Sequence, residues 1–313
     1  MSLASAQRPA ADDASSADSI ARIVAVMRGW SIEATQPKET EVATLKEILT
    51  PGTNVYLSAV PTRDPAMQIA PAVALAAAGL APVPHIAVRA FADVAAFDGY
   101  LARMSQEAGV RGALVISGDR DQPAGPFRDA IEAIDSGILQ RHGIRHIGIA
   151  GYPDGHERIS EQELDRALRA KIGIADEIGL DIHIVTQFGF DASRIIAWIE
   201  RVRDFGIELP VRIGLAGPTN IATLLRYAQR CGVRASAQGL ARQSGLARHM
   251  FGMSAPDALV RALADAGPRL GDVALHFFSF GGIAATARWA SAVAAGRITI
   301  DAAGGFQVTP PSA

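Results

Sequence analysis

The sequence predicts a closed (β/α)8 barrel, the TIM-barrel architecture, with one extra helix on its N-terminal side. Short apolar segments and amphipathic segments alternate from Ser31 onward, and eight strands are counted, each followed by a helix. Repeated βα units with buried, β-branched strands make a parallel sheet. Eight units in about 280 residues match a closed barrel better than a doubly wound sheet, which shows fewer strands and an early glycine-rich phosphate loop. No Gly-x-Gly-x-x-Gly follows the first strand, no Gly-x-x-x-x-Gly-Lys-Ser/Thr occurs anywhere, and no Gly-x-Ser-x-Gly elbow marks an α/β hydrolase.

Composition sets the class. At 313 residues, 49% hydrophobic and 20% charged, the chain can bury a large core. A net charge of -2 from 30 basic and 32 acidic residues gives no whole-chain attraction to nucleic acid or an anionic membrane. The one cysteine, Cys231, excludes an internal disulfide and a multi-cysteine metal site and suits a reducing compartment. No apolar run nears the roughly 20 residues that span a bilayer, and no secretory signal pattern opens the chain. A cytoplasmic protein with no nucleic-acid or membrane partner is expected.

Residues 1–17 are Ala, Ser and Asp with little to bury and read as a loose tail, so the catalytic domain is expected over 18–313. Ile20, Ile23, Val24 and Met27 then share one helical face. Strand one is Trp30 to Ala34, ending before Pro37, and strand two is Asn54 to Val60. A helix from Pro65 to Gly79 has Pro in its first turn and Gly at its end. Pro82 to Val88 is strand three, followed by a helix over Ala92 to Ala108. Gly112 to Ser117 is strand four, an apolar run that stops at Gly118-Asp119, and Phe127 to Ile138 reads as its helix. His146 to Ala150 is strand five, and Glu161 to Ile178 is a long helix capped by Ser160 with Glu163 three residues on. Asp181 to Gln187, Pro210 to Leu215 and Asp272 to Phe278 are the last three strands. Helices are expected over Ala192 to Phe205, Thr219 to Cys231 ended by Gly232, Leu240 to Ala266 in one or two pieces, and Ile283 to Ala295.

In a barrel, polar residues at the carboxyl ends of the strands converge on one mouth. Here they are Glu33, Ser58, His85, Asp119, Tyr152 with His156, Gln187, and His276 with Ser279. Singly, each has a plainer explanation: a lone Glu is a capping carboxylate, and a His on an apolar strand is a satisfied core residue. Spread over separate strands, the set reads as a site.

The motifs also carry a resemblance. Tyr152-Pro153-Asp154-Gly155-His156, then Lys171 on a helix, then Thr186-Gln187-Phe188-Gly189-Phe190-Asp191, resemble the Tyr-Pro-x-x-His, helical Lys and Thr-Gln-x-x-Phe-Asp of methylenetetrahydrofolate reductases. Pro84-His85, Ser117-Gly118-Asp119 and Leu275-His276-Phe277-Phe278 resemble that family's Pro-His, Arg-Gly-Asp and Phe-His-Phe-Tyr, and Glu33 falls where the family has a catalytic glutamate. Ser117 stands where the family has arginine, and Gly281-Gly282 where it has a folate-contacting Asn-Arg.

The resemblance implies a barrel that holds FAD at its carboxyl mouth and reduces 5,10-methylenetetrahydrofolate to 5-methyltetrahydrofolate with NADH or NADPH. It implies Glu33 and Asp119 as catalytic residues, with Glu33 the general acid at the bridging nitrogen. That role requires burial or a neighbouring charge to raise the carboxyl's pKa. Ser58, His85, Ser117, Gly118, Asp119, Arg128, Tyr152, His156 and Lys171 would hold the flavin. Glu33, Asp119, Gln187, Phe190 and Phe278 would meet the folate. A homo-oligomer is expected on the same ground. Two alternatives stay open: direct hydride transfer from nicotinamide without flavin, and a barrel that binds tetrahydrofolate without reducing it.

Other candidates read as structural. His142 and His146 stand four apart, but Gly143 and the strand starting at His146 argue against a shared helix face, and His183 and His249 stand alone, so no metal is expected. Arg234, Arg242 and Arg248 near the seventh unit read as a solvated face.

Overall fold

The strands of the computed structural model, which describes residues 9–231 and 254–309, close into a parallel barrel in chain order. They are β1 Ser31–Ala34, β2 Asn54–Leu57, β3 Ala81–Ala87, β4 Gly112–Ile116, β5 His146–Gly151, β6 Asp181–Thr186, β7 Val211–Ala216 and β8 Val273–Phe278. β1 closes the ring by pairing with both β2 and β8, which sets Glu33 level with Tyr56 on one side and Phe278 on the other.

Between and around the strands run α1 Pro9–Val26, α2 Glu39–Ile48, α3 Ile69–Ala77, α4 Val94–Ala108, α5 Ala130–Asp135, α6 Ile138–Arg141, α7 Glu161–Glu177, α8 Ala192–Asp204, α9 Ile221–Arg230, α10 Asp257–Leu270 and α11 Ile283–Ala294. Their ends follow local chemistry. Asp93 caps α4 by accepting from the Ala96 amide, and Gly109 closes it in the left-handed conformation that glycine adopts without strain. The capping box expected at Ser160 and Glu163 starts α7.

Alternation along each strand divides the core in two. Ile32, Val55, Leu57, Ala113, Val115, Ile147 and Ile149 face the helices and are buried in the large outer core. Tyr56, Val83, Leu114 and Val185 fill the barrel interior. Each large side chain buried in this way contributes roughly 1.5–3 kcal/mol. A third cluster of Phe188, Phe190, Ala216, Leu224 and Ala228, with Tyr227, Phe278 and Phe280 against it, sits at the exits of β6 to β8.

Several bounds differ from the sequence reading. The stretch read as a loose tail is helical from Pro9: α1 opens on proline, carries Asp12 and Asp13 near its start and is rich in alanine, all of which favour a helix. Its Ile23 and Val26 are buried, as is Met27 just after it, and Arg22 pairs with Asp265 of α10. The helix expected over Phe127 to Ile138 is two, α5 and α6, parted at Gly137 in the left-handed conformation. The segment before α3 is a 3-10 turn, Pro65–Gln68, capped by Asp64. In the region expected to be helical over Leu240 to Ala266, the described part is α10, which runs on to Leu270 through Pro268. Gly232, Arg234, Arg242, Arg248 and His249 lie outside the described residues. A terminal hairpin, β9 Ile298–Ile300 with β10 Phe306–Val308, follows the barrel. Among the described residues, no helix is long and apolar enough to cross a membrane.

Candidate active site

Four neighbouring strands deliver polar side chains to one point at the carboxyl rim. Ile32 and Ala34 pack outward, so Ser31 and Glu33 face into the barrel. Ser58, in the exit of β2, donates its hydroxyl to Glu33 Oε1 at 2.5 Å and lies 3.0 Å from the Thr35 hydroxyl. Glu33 Oε2 faces two imidazoles, His276 Nε2 at 3.5 Å and His85 Nε2 at 3.6 Å. His276 is 0% exposed, and its Nδ1 lies 2.9 Å from Ser31 Oγ. Ser279 donates to the Glu33 carbonyl at 2.6 Å and fixes the strand end. Beneath them Tyr56 packs its ring edge-on to His276 and His85 and meets His183 Nε2 with its hydroxyl at 2.9 Å.

Charge within this cluster is shared. Burial pushes the Glu33 carboxyl up, but His85, His276 and the Ser58 hydroxyl outweigh it and hold the group below the usual carboxylate range. Its pKa is therefore lowered, not raised as a lone buried acid's would be. Burial pushes His85 down, and Glu33 opposes that shift. Since the anion gains from His85 only while that ring is charged, a proton on the imidazole disfavours one on the carboxylate, and the pair titrates as a unit.

Ser58, His85, Gly118 and Asp119 line a single cavity, together with Gln36, Arg63, Arg89 and Arg120. Glu33 contacts two of these lining residues, Ser58 and His85, and lies at the carboxyl end of β1 as Asp119 follows that of β4. Gln36 holds φ at +48°, a left-handed conformation uncommon outside glycine. Asp119 is exposed and near enough to Tyr152 to reinforce the upward push that burial gives that phenol. Tyr152 lines a second groove with Asp154, Arg194 and Trp198, and its ring meets His156 edge-on at 5.4 Å. Gln187 accepts from the Phe188 amide beside it at 3.1 Å. Phe278 packs on Phe188 at 5.3 Å, while Phe190 is buried behind Phe188 and forms the back of that wall.

Two of the expected flavin contacts have partners within the chain. Ser117 Oγ accepts from the Ala130 amide at the start of α5. Arg128, 79% exposed, pairs at 2.6 Å with Glu132, four residues on. Reading strand ends alone also missed Ser31, Tyr56 and His183. Ser31 lies two residues before Glu33, and strand period places both inside, whereas the partner of His183 lies 127 positions away. His142 and His146 are parted as expected, one pairing with Asp98 and the other with Asp181. Among the described residues no group of three or more His, Cys, Asp or Glu could hold a metal.

FAD, implied by the resemblance, needs a ring cradle and a counter-charge for its diphosphate. Gly118 has φ +89°, and a Cβ there would stand 2.9 Å from that of Ala87, so the turn before Asp119 admits only glycine, and both residues line the cavity. Lys171 on α7 makes no hydrogen bond or ion pair among the described residues, and burial pushes its ammonium down, with Asp129 opposing. An anion would satisfy it. Gly118 and Asp119 on the cavity and Lys171 on α7 are the residues present that suit the group's ring system and its diphosphate.

Residues 41–268, well over half of the chain, match the family model described as methylenetetrahydrofolate reductase. The chain belongs to the methylenetetrahydrofolate reductase family. It is 34% identical over 88 residues to methylenetetrahydrofolate reductase 1 of Schizosaccharomyces pombe, a match covering 28% of this chain and 14% of that protein. To methylenetetrahydrofolate reductase 2 of Saccharomyces cerevisiae it is 31% identical over 86 residues, covering 26% of this chain and 14% of the relative. The chain thus spans 14% of the length of these two relatives. Dihydropteroate synthase from Thermus thermophilus aligns over 84% of this chain and 92% of its own, with TM-score 0.45 and 14% identity. A GH128 endo-beta-1,3-glucanase from Amycolatopsis mediterranei aligns over 83% of this chain and 98% of its own, with TM-score 0.42 and 14% identity. Within this methylenetetrahydrofolate reductase family chain, the family match runs from α2 to α10, so β1 with Glu33 and β8 with His276 flank it.

Proposed function

We propose that this barrel reduces 5,10-methylenetetrahydrofolate to 5-methyltetrahydrofolate with NADH or NADPH as reductant. The observation that carries the reading is the Glu33 carboxylate at the mouth, on one face hydrogen-bonded by Ser58 and on the other facing His85 and His276. Membership of the family supplies the substrate class.

In this reading the pterin lies over the cavity between Glu33 and Asp119, with Gln187 and the Phe188–Phe278 wall against the folate. Glu33 delivers a proton to the bridging nitrogen, the five-membered ring opens to the iminium at the other nitrogen, and a hydride reduces the methylene carbon to methyl. Proton transfer of this kind contributes roughly 10²- to 10⁴-fold. Because Glu33 is ionised at rest, its proton enters with a neighbouring imidazole or with the substrate. The apolar wall excludes water from the cation, and Asp119 orients the ring system by hydrogen bonds.

FAD, when bound, would carry hydride from nicotinamide to the folate. His85, Gly118, Asp119, Tyr152, His156 and Lys171 would hold it, Lys171 meeting the phosphates. A second reading, direct hydride transfer from nicotinamide, is favoured by the commitment of Ser117 and Arg128 to other partners. Anaerobic incubation with NADH or NADPH and methylenetetrahydrofolate, with and without added FAD, tests both. Formation of 5-methyltetrahydrofolate is expected, and its absence under every condition overturns the function. A flavin spectrum on the purified protein supports the first reading, while a colourless protein equally active without FAD supports the second.

A further inference from the structure

His85 Nε2 is buried and has no hydrogen-bond partner. Orphaned buried ring nitrogens are costly and call for a reason. Its neighbour is Glu33 Oε2 at 3.6 Å, just beyond hydrogen-bond reach. The contact is adjustable, since a small shift of either side chain closes it. Three other groups bound it: His276 on β8, which faces the same carboxylate oxygen, Tyr56 on β2, whose ring edge meets His85, and Ser58, which occupies Oε1 instead. Ser31 holds His276 from its far side, whereas no side chain holds His85, and Gln68 binds only its backbone carbonyl. Residue 85 also lines the cavity, so it touches both the acid and the space that communicates with solvent.

We propose that His85 is the proton reservoir of Glu33: it holds the proton while the carboxylate rests ionised, hands it to Glu33 for each transfer to the folate nitrogen, and is itself recharged from water in the cavity. This rests on the reductase reading above and assigns His85 a task besides any contact with a cofactor. The balance is simple. Glu33 loses one proton to the bridging nitrogen as the carbon–nitrogen bond breaks, and the reduced nicotinamide supplies two electrons with its hydride. That proton comes to Glu33 from His85 Nε2, and the ring is left a neutral imidazole until water recharges it. One proton per turnover enters from solvent. His85 acts through Glu33 and is a positioning residue, so its loss should be visible in pH dependence above all.

The test uses the intact chain, wild type, His85→Gln and His85→Ala, assayed anaerobically for 5-methyltetrahydrofolate from pH 6 to pH 8.5 with saturating FAD. Burial holds His85 below the ordinary histidine range, so the wild-type ring carries a proton to give mainly at the acid end of this range. His85→Gln should lose about 10- to 100-fold in kcat at pH 6 and under about threefold at pH 8, where the wild-type ring is already neutral, with KM for folate within about twofold. Added imidazole should restore kcat in His85→Ala, a rescue that a purely structural defect does not show. A loss equal at all pH values with no response to imidazole, or one confined to KM, overturns the proposal while leaving the reductase reading intact. A wild-type protein that forms no 5-methyltetrahydrofolate overturns the reductase reading, and the reservoir falls with it.

Discussion

Ser31 and His276 stand directly opposite each other where β1 and β8 close the barrel, and they share a hydrogen bond of 2.9 Å wholly inside the core. That bond sets which His276 nitrogen faces Glu33, the same logic by which an outer partner orients a metal-bound or catalytic imidazole. Ser31→Ala strips Nδ1 of its partner and should cost about 1–3 kcal/mol in a urea unfolding experiment. It should also lower kcat about tenfold, equivalent to about 1.4 kcal/mol of barrel-mouth alignment, with KM little changed. Unchanged kcat would separate His276 from the chemistry.

The turn after β4 is as tightly specified as the carboxylate it precedes. Gly118 has φ +89°, and a Cβ there would sit 2.9 Å from Ala87 Cβ. Gly118→Ala should therefore destabilise by about 1–3 kcal/mol, through backbone strain and the clash together. Adding Ala87→Gly removes the clash and leaves the strain, so the double variant should recover part of the loss. Full recovery in urea unfolding would mean that the backbone conformation is unstrained.

Acid should weaken the barrel through its interior. Burial, with Arg212 nearby, holds His183 neutral and lowers its pKa from 6.5 to about 4. Below the ordinary histidine range the unfolded chain binds a proton that the folded chain refuses, so stability falls as pH falls between those two values. This one group should remove about 2 kcal/mol between pH 7.5 and pH 5. His183→Gln should flatten that slope in urea unfolding at the two pH values, whereas an unchanged slope would place the acid sensitivity elsewhere. The Glu33 contribution has the opposite origin and a lower window, present above the ordinary carboxylate pKa and lost as pH falls through its depressed folded value.

Much of this was legible in the chain itself, because the barrel is written in local periodicity. Strand four is an apolar run ending at Gly118-Asp119, and β4 ends two residues before that pair. Ser160 and Glu163 announced α7 in the same local way. What escaped was set by contacts distant in sequence. The pairing of Tyr56 with His183 joins β2 to β6 across the interior, and no spacing in either strand announces it. The depressed Glu33 carboxyl depends on His276, 243 positions away. Arg128 pairs with Glu132, four residues on, a partner that a motif match does not weigh. The terminal hairpin was readable: Ile298-Thr299-Ile300 and Phe306-Gln307-Val308 alternate around Gly304-Gly305, but eight units already completed a barrel.

The carboxylate of Glu33, flanked by Ser58, His85 and His276, is the centre of the account, and one comparison tests it most directly. Wild type and Glu33→Gln are incubated anaerobically with reduced nicotinamide, FAD and methylenetetrahydrofolate, and 5-methyltetrahydrofolate is quantified over time. The wild type should form the product, and the amide, which keeps the shape but carries no transferable proton, should slow it by about 100-fold or more. Equal rates in the two proteins would contradict an acid at this position.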